Sequence, residues 1–548
     1  MHVDTAKIKG KGKTYTRHLL RTSFRVNGKV KHRTVANLSG CTMAEIEAIK
    51  LALKYKDNLS ALCSIKDIEA TQGKRVGAVW CLKVLAERCG IASALGNSHQ
   101  GKLGLWQVLA RLIGQGSRLK AVRLAQSHAG CEIVGIQSLN EDNLYDNLAW
   151  LTGHQERIEK KLFRHRFPDA VPSLFLYDVT SSYLEGVCNE LSAYGYNRDK
   201  KKGKKQVVIG LLTDPEGDPV AVRIFEGNTA DTSTVSEQVR TLAEKFAVNN
   251  VTLVGDRGMI KGAQIENLPE GFTYITAITK PQIRKMLNAN VLQYELFSEH
   301  VCEVEHEDVR YVLRRNPLRA KEIRLNRQEK LKSLKQLAAD RTHYLAEHPK
   351  AKSAVAEKKV NTKARQLKIE NWIHVAVDGR TIQVETDDVA LADICLLDGC
   401  YVIKSNVPKD TTDAQTLHDR YKDLAHVEKA FRTMKTAHLE VRPVYVRKEE
   451  STRGHAFVVM LAYLLQRHLE RCWVDMDLTV EEGIDELGSI RTQKIKVGGM
   501  TCQNIPQPDV RCRALLEAAD VRLPKVLPGR RVHVATKKKL FSERKLST

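Results

Sequence analysis

Apolar positions change their period several times along this chain, and each change marks a boundary. Residues 13–38 alternate. The runs TYTRHLLRTSFRV and KVKHRTVANL flank Asn27-Gly28, the pair preferred in a tight I′ turn, and predict a β-hairpin. From Thr42 to about Arg166 the period becomes helical, at 44–56, 76–89, 104–113 and 118–127, with Gly114, Gly116 and Gly130 as punctuation. Residues 140–166 continue as one long amphipathic helix or a pair. At Ser173 the texture turns to short apolar runs, LFLYDVT, QVVIGLL and PVAVRIF, the last two joined by a Pro/Gly turn. A helix at 232–246, a strand VTLVG, a short helix at 262–267 and a strand FTYITAIT follow.

The order β-β-β-α-β-α-β predicts an α/β fold, an RNase H-like mixed sheet flanked by helices. The helix needed to complete it is delayed by about a hundred residues of other texture. These hold a charged helical stretch at 318–359 and strands at 372–384 and 399–405, an inserted α+β subdomain. A helix over 414–436 then resumes the core, and a second apolar helix covers 454–472. The expected division is a basic hairpin at 1–42, a helical DNA-binding region at 43–168 and a first part of the core at 169–281. An insertion at 282–406, a second part of the core at 407–475 and a basic extension at 476–548 complete it. The end of that extension, ATKKKLFSERK, reads as partly disordered.

The stretch YKDLAHVEKAFRTMK carries Leu424, Val427, Phe431 and Met434 at helical spacing. On one continuous helix, Tyr421, Glu428 and Lys435, each seven residues from the next, would lie along a single stripe. An acid between a phenol and an ammonium suits work on phosphate; a solvated helix face is the plainer reading of this helix alone.

Charge narrows the partner. Lys and Arg total 88 against 65 Asp and Glu, a formal net charge of +23 spread from end to end. That implies a long polyanion, with nucleic acid foremost. The amino terminus has no apolar core of a secretory signal, and 456–465 is about half a membrane span. The expectation is a cytoplasmic protein, nucleoid-associated when bound, with no membrane partner. The 12 cysteines show no C-x-x-C pair, which argues for reduced thiols and against a zinc site.

Asp178 sits inside an otherwise apolar strand, where a lone carboxylate is costly unless paired or holding a cation. Asp256 ends the fourth strand, which neighbours the first in an RNase H-like sheet. Two carboxylates that close repel unless a dication neutralises them. Glu428 from the covering helix would make an all-oxygen set suited to Mg²⁺ or Mn²⁺. Two such ions, about 3.5–4 Å apart, can activate a nucleophile and stabilise the leaving oxygen.

These residues carry a family resemblance over most of the chain. LFLYDVTSSYLEG resembles the first-aspartate segment, and VGDRGM the second-aspartate motif, of the DDE transposases of bacterial insertion sequences, in the group with a Tyr-Arg-Glu-Lys signature. YGYNRDKKKGKKQVVIGLLTDPEGDPVAVRIFEGNTAD resembles the family's second and third strands. Y-x₂-L-x₃-E-x₆-K resembles its signature helix, and RPVYVRKEESTRGHAFVVMLAYLL the return to the core. Leu424 stands where the signature has Arg, and Arg420 and Arg432 lie at other offsets. The resemblance implies that Asp178, Asp256 and Glu428 hold two divalent ions, and that Tyr421 and Lys435 hold terminal phosphates. It further implies metal-dependent hydrolysis at element ends and attack of the freed 3′-hydroxyl on target DNA. The expected partners are double-stranded DNA, as terminal inverted repeats and as target, and a second copy of the chain.

Arg257, Arg442, Arg447 and Arg453 are further phosphate candidates, with local pairing as the alternative for Arg257. The loop RDKKKGKK suits a DNA clamp or a solvated charge run. The basic hairpin suits the DNA backbone or a protected sheet edge. Two short helices near a turn, with Arg118, Lys120 and Arg123 read as exposed, suit a helix-turn-helix or plain packing. Asn228 reads as a turn residue, and His426 and His455 as packed or surface side chains. Three rivals share features: an RNase H-fold nuclease or resolvase, a catalytically silent DNA-binding relative, and a basic scaffold. The insertion and amino-terminal module count against the first, the three intact acids against the second, and Asp178 against the third.

Overall fold

The computed structural model describes residues 1–10, 13–57, 68–186, 188–248, 250–257, 259–266, 268–436, 439–442, 444–497, 500–527 and 532–536. The basic end beyond Thr536, expected to be partly disordered, lies outside them.

Eight strands make a central mixed sheet. They are β1 (Leu174–Tyr183), β2 (Gln206–Thr213), β3 (Pro219–Phe225), β4 (Val251–Gly255), β5 (Phe272–Ala277), β6 (Cys302–His306), β7 (Val309–Arg315) and β8 (Cys400–Ser405). Across the sheet they run β6-β7-β8-β5-β4-β1-β2-β3. β1, β4 and β5 are mutually parallel. Every other neighbouring pair is antiparallel. β2 is buried along its whole length. That explains why QVVIGLLT is a continuous apolar run and not an alternating one: both faces are covered.

Five helices position the site: α1 (Glu141–Arg166), α2 (Asp231–Arg240), α3 (Ala414–Lys422), α4 (Leu424–Thr436) and α5 (Glu449–Cys472). Successive β1 side chains go to opposite faces of the sheet. Phe175, Tyr177 and Val179 pack with Val235 and Val239 of α2 and with Leu242 and Phe246 beyond it. Leu176 and Leu184 pack on the other face with Val427, Ala430, Phe431 and Met434 of α4 and Phe457 of α5. Asp178 therefore belongs to the face that α4 covers. α5 lies against α1 at a very close approach. A Cβ at Gly454 would stand 2.2 Å from the carbonyl oxygen of Leu148, so only glycine fits.

Three parts differ from the sequence expectation. A strand at His2–Gly10 pairs with Lys13–Val26 and turns the predicted hairpin into a three-stranded sheet. That strand is mostly exposed and basic, so it carries no apolar alternation to read. Asn27 and Gly28 take the positive φ values, 49° and 75°, that the tight turn requires. Strands β6, β7 and β8, within the expected insertion at 282–406, extend the central sheet beyond β5. The remainder of that stretch, helices Pro317–Glu347 and Ser353–Leu367 with the hairpin Ile373–Asp378 and Thr381–Thr386, has its own core around Leu334, Val360 and Trp372. Finally, Arg491–Val497 pairs with Glu69–Arg75, tying the C-terminal extension to the helical region. Among the described residues no helix is long and apolar enough to cross a membrane, and the described cysteines form no disulfide.

Candidate active site

Parallel pairing brings two of the acids together. The β1–β4 register runs from Leu174 opposite Thr252 to Tyr177 opposite Gly255. Asp178 and Asp256 are the next residues on the two chains, so they emerge side by side where β4 ends. Asp178 accepts a hydrogen bond from its neighbour's N–H, Val179, at 2.7 Å. Asp256 accepts one from Arg257 N–H at 2.7 Å. These local bonds leave the second oxygen of each carboxylate available.

Helix α4 lays Leu424, Val427, Ala430, Phe431 and Met434 into the core, and Glu428 stays exposed beside that apolar stripe. The negative charge of Glu428 reaches Asp178. Burial first, then Asp256 and Glu428, together push the Asp178 carboxyl up to about 7. The Val179 N–H and the Arg198 guanidinium offset part of this. The three acids share one field without forming a closed cage. Among the described residues, the only three ligand-type side chains with donor atoms all within 4.8 Å of one another are Glu486, Asp509 and Cys512. That trio is a helix cap: Asp509 accepts from Cys512 N–H at 2.8 Å, and the Cys512 thiol donates to the Glu486 carbonyl at 3.3 Å.

The single helix expected over 414–436 is broken. α3 ends at Lys422 and α4 begins at Leu424, with a turn at Asp423 whose carbonyl accepts from His426 N–H at 2.8 Å. An aspartate inside a helix competes for backbone bonds, and here it also takes the Arg420 guanidinium at 3.0 Å. Tyr421 thus precedes this turn and Glu428 and Lys435 follow it, the turn residue itself keeping right-handed helical dihedrals, φ -59° and ψ -15°. Tyr421 faces the site, its hydroxyl donating to Asp256 Oδ1 at 3.3 Å. Burial and then Asp256 raise the Tyr421 pKa, which keeps the phenol protonated. Leu424 is a core residue. No guanidinium is presented from that position, and Arg420 is spent on Asp423.

Lys435 and Arg442 meet a partner that sequence reading missed. Asp199, in the loop between β1 and β2, has a side chain only 2 % exposed and accepts from Lys435 Nζ at 3.0 Å. It also takes the Arg442 guanidinium and, at 3.2 Å, the backbone N–H of Tyr183. Burial lowers the Lys435 pKa, and Asp199 offsets that shift. The neighbouring Arg198 pairs with Asp231 at 2.6 Å while its charge acts on Asp178. The loop RDKKKGKK therefore lies on the acid side of the sheet. A lone acid in a run of bases was the available signal for Asp199. Arg257 and Arg447 are exposed. Arg453 is engaged by Glu449 and by the Ile224 carbonyl. His426 bonds the Pro215 carbonyl at 2.9 Å, and His455 is half-buried, with burial holding its pKa well below the usual imidazole range so that it is neutral.

Comparison with known families gives the class: an enzyme that transfers phosphoryl groups in DNA. The family described as Transposase DDE domain matches residues 169–465, and the IS1634 family transposase N-terminal domain matches residues 3–62. The chain belongs to the DDE transposases, as an insertion-sequence transposase, and its chemistry is nucleolytic and transesterifying. Members of this family generally work with divalent metal ions. No curated protein matches the chain. Among solved structures, the piggyBac transposase synaptic complex with hairpin DNA aligns at 8% identity over 70% of this chain and 69% of that chain, with a TM-score of 0.36.

Proposed function

We propose that Asp178, Asp256 and Glu428 hold two Mg²⁺ or Mn²⁺ ions and cleave the ends of the element, joining the freed 3′-hydroxyl to target DNA. The observation that carries this is the shared field at Asp178, a strand carboxyl pushed up to about 7 by burial and by the other two acids. Such a group favours a cation as its neutraliser, and the donor set is all oxygen, which fits a hard dication and not zinc. When bound, the ions supply charge neutralisation at the attacking and leaving oxygens. The core order β3-β2-β1-β4-β5 supports an RNase H-like fold, in which these strand ends are a shared edge.

The chain's own residues then have distinct tasks. Tyr421 orients the Asp256 carboxylate through its hydroxyl and offers that hydroxyl to a terminal phosphate. Lys435 and Arg442 form a cationic pair beside the acids, poised by Asp199. Arg257 and Arg447 are exposed cations for the DNA backbone. The amino-terminal sheet and helical region recognise the terminal inverted repeats, and two copies bring two ends together.

The test uses a duplex ending in the inverted repeats that flank the gene, with Mg²⁺. Wild type should nick and transfer strands, and Asp178→Ala should do neither while still binding the duplex. Full strand transfer by that variant would remove the metal assignment.

A further inference from the structure

A second group of cations lies away from the three acids, where the helical region meets the segment after α4. A cavity of about 280 Å³ is lined there by Arg111, Ser117, Arg118, Tyr145, Glu440 and His455. Arg111 comes from the helix His99–Ile113, and Arg118 opens the helix Arg118–Ser127, which Ser117 caps. Arg111 is 5 % exposed and Arg118 6 %.

The countercharge is incomplete. Arg118 is held by Gln107 Oε1 and faces His455 Nδ1 at 3.4 Å, both neutral partners. The carboxylate nearest Arg111 is Glu440, 4.0 Å away and 39 % exposed. Glu440 sits at φ 44°, a left-handed conformation uncommon outside glycine. Burial pulls Arg111 down to about 10, and burial together with the neighbouring Arg111 pulls Arg118 down to about 9. Both stay charged at neutral pH. Two guanidiniums, one distant carboxylate and a helix N-terminus leave a net positive hole.

Its location ties it to the substrate. Glu440 belongs to the same short segment as Arg442, which turns to Asp199, and Val444, which bridges to Leu184 just past the end of β1. The cavity and the strand bearing Asp178 are joined by a few residues of chain. Tyr145 and Tyr445, 44 % and 70 % exposed, also line the cavity and offer hydroxyl donors.

We propose that this cavity is a phosphate-binding site for the DNA backbone, in which Arg111 and Arg118 take a phosphate in place of Glu440. The DNA assignment rests on the function proposed above; the anion site itself does not.

The experiment has two arms, each comparing wild type, Arg111→Gln and Glu440→Gln, with circular dichroism to establish folding. In the first, thermal unfolding is followed with inorganic phosphate against chloride at equal ionic strength. Phosphate should stabilise wild type, stabilise Glu440→Gln more, and have no specific effect on Arg111→Gln. Equal response of all three, or none in wild type, overturns the site. In the second, duplex affinity is measured against salt. Arg111→Gln should weaken binding roughly ten- to a hundredfold and reduce the log–log salt slope by about one, and Glu440→Gln should tighten it. If the first arm succeeds while duplex affinity is the same in all three, the ligand is a free phosphate and the DNA assignment falls. If wild type binds no duplex at all, the proposed function fails and the first arm still decides the anion site. If Arg111→Gln does not fold, Glu440→Gln decides alone: no gain in phosphate response or affinity overturns the proposal.

Discussion

Asp178 is the residue whose chemistry is easiest to test apart from catalysis. Its folded pKa, about 7, stands above its ordinary 3.8. The folded state therefore binds the proton more tightly than the unfolded chain does. The stability this gives is complete below about pH 4 and is lost as pH rises through about 7. Without divalent ions, Asp178→Asn should accordingly be more stable than wild type at pH 8, by about 4 kcal/mol, and equal to it near pH 4. Mg²⁺ should raise the Tm of wild type at pH 8 and leave the variant unmoved. A variant less stable than wild type at pH 8, or equally responsive to Mg²⁺, would disprove the account. The residue was legible in the sequence because a carboxylate in an apolar strand stands out. Asp256 was legible because it follows a strand that pairs with the first. Asp199 was not, since its meaning is a buried ion pair with Lys435 and Arg442, both more than 230 positions away. Arg111 was hidden for the same reason, and Arg118, expected to be exposed, is buried: burial of a charge is a property of packing, not of local pattern.

At the scale of elements, amphipathic period located most helices and all five strands of the β1–β5 core, because each has one or two faces in an apolar core. It failed where faces are exposed or where one residue changes the path. His2–Gly10 and Glu69–Arg75 are exposed or half-buried strands with polar sequences, and no two-residue alternation survives in them. The break at Asp423 was masked by the unbroken apolar rhythm on either side. Asp199 shows how these elements are fastened. Through one carboxylate it joins the end of β1, the basic loop and α4. Asp199→Ala would leave two cations partly buried without their anion, and removing one partner of a buried pair costs about 3 kcal/mol. Urea unfolding should show that loss with an unchanged m value, and the loop at 198–205 should become the first site of proteolysis. A loss under about 1 kcal/mol would mean that Lys435 and Arg442 find water or other partners at no cost, and the fastening role would fail.

For the whole molecule, the net charge of +23 matters through where it is exposed. The amino-terminal sheet carries Lys7, Lys9, Arg17, Arg25, Lys29, Lys31 and Arg33 as exposed side chains. Arg21 pairs with Asp4 at 2.6 Å. Among the sheet's described residues only His18 and Leu19 are buried, so the strands cannot be stabilised chiefly by a core of their own. A sheet of that kind is suited to a polyanion laid along it, each phosphate contact releasing counterions. Duplex affinity should therefore fall linearly with salt on a log–log plot, with a slope near −0.9 for each phosphate neutralised. Replacing Arg25, Lys29 and Lys31 together by Gln should flatten the slope by about three, since each is a phosphate-type contact carrying no base preference. The Mg²⁺ response of Asp178 should be untouched, because the sheet lies outside the strands that carry the acids. An unchanged slope in the triple variant would place the DNA elsewhere on the protein. A flat slope in wild type would mean that the basic charge serves some role other than gripping a backbone.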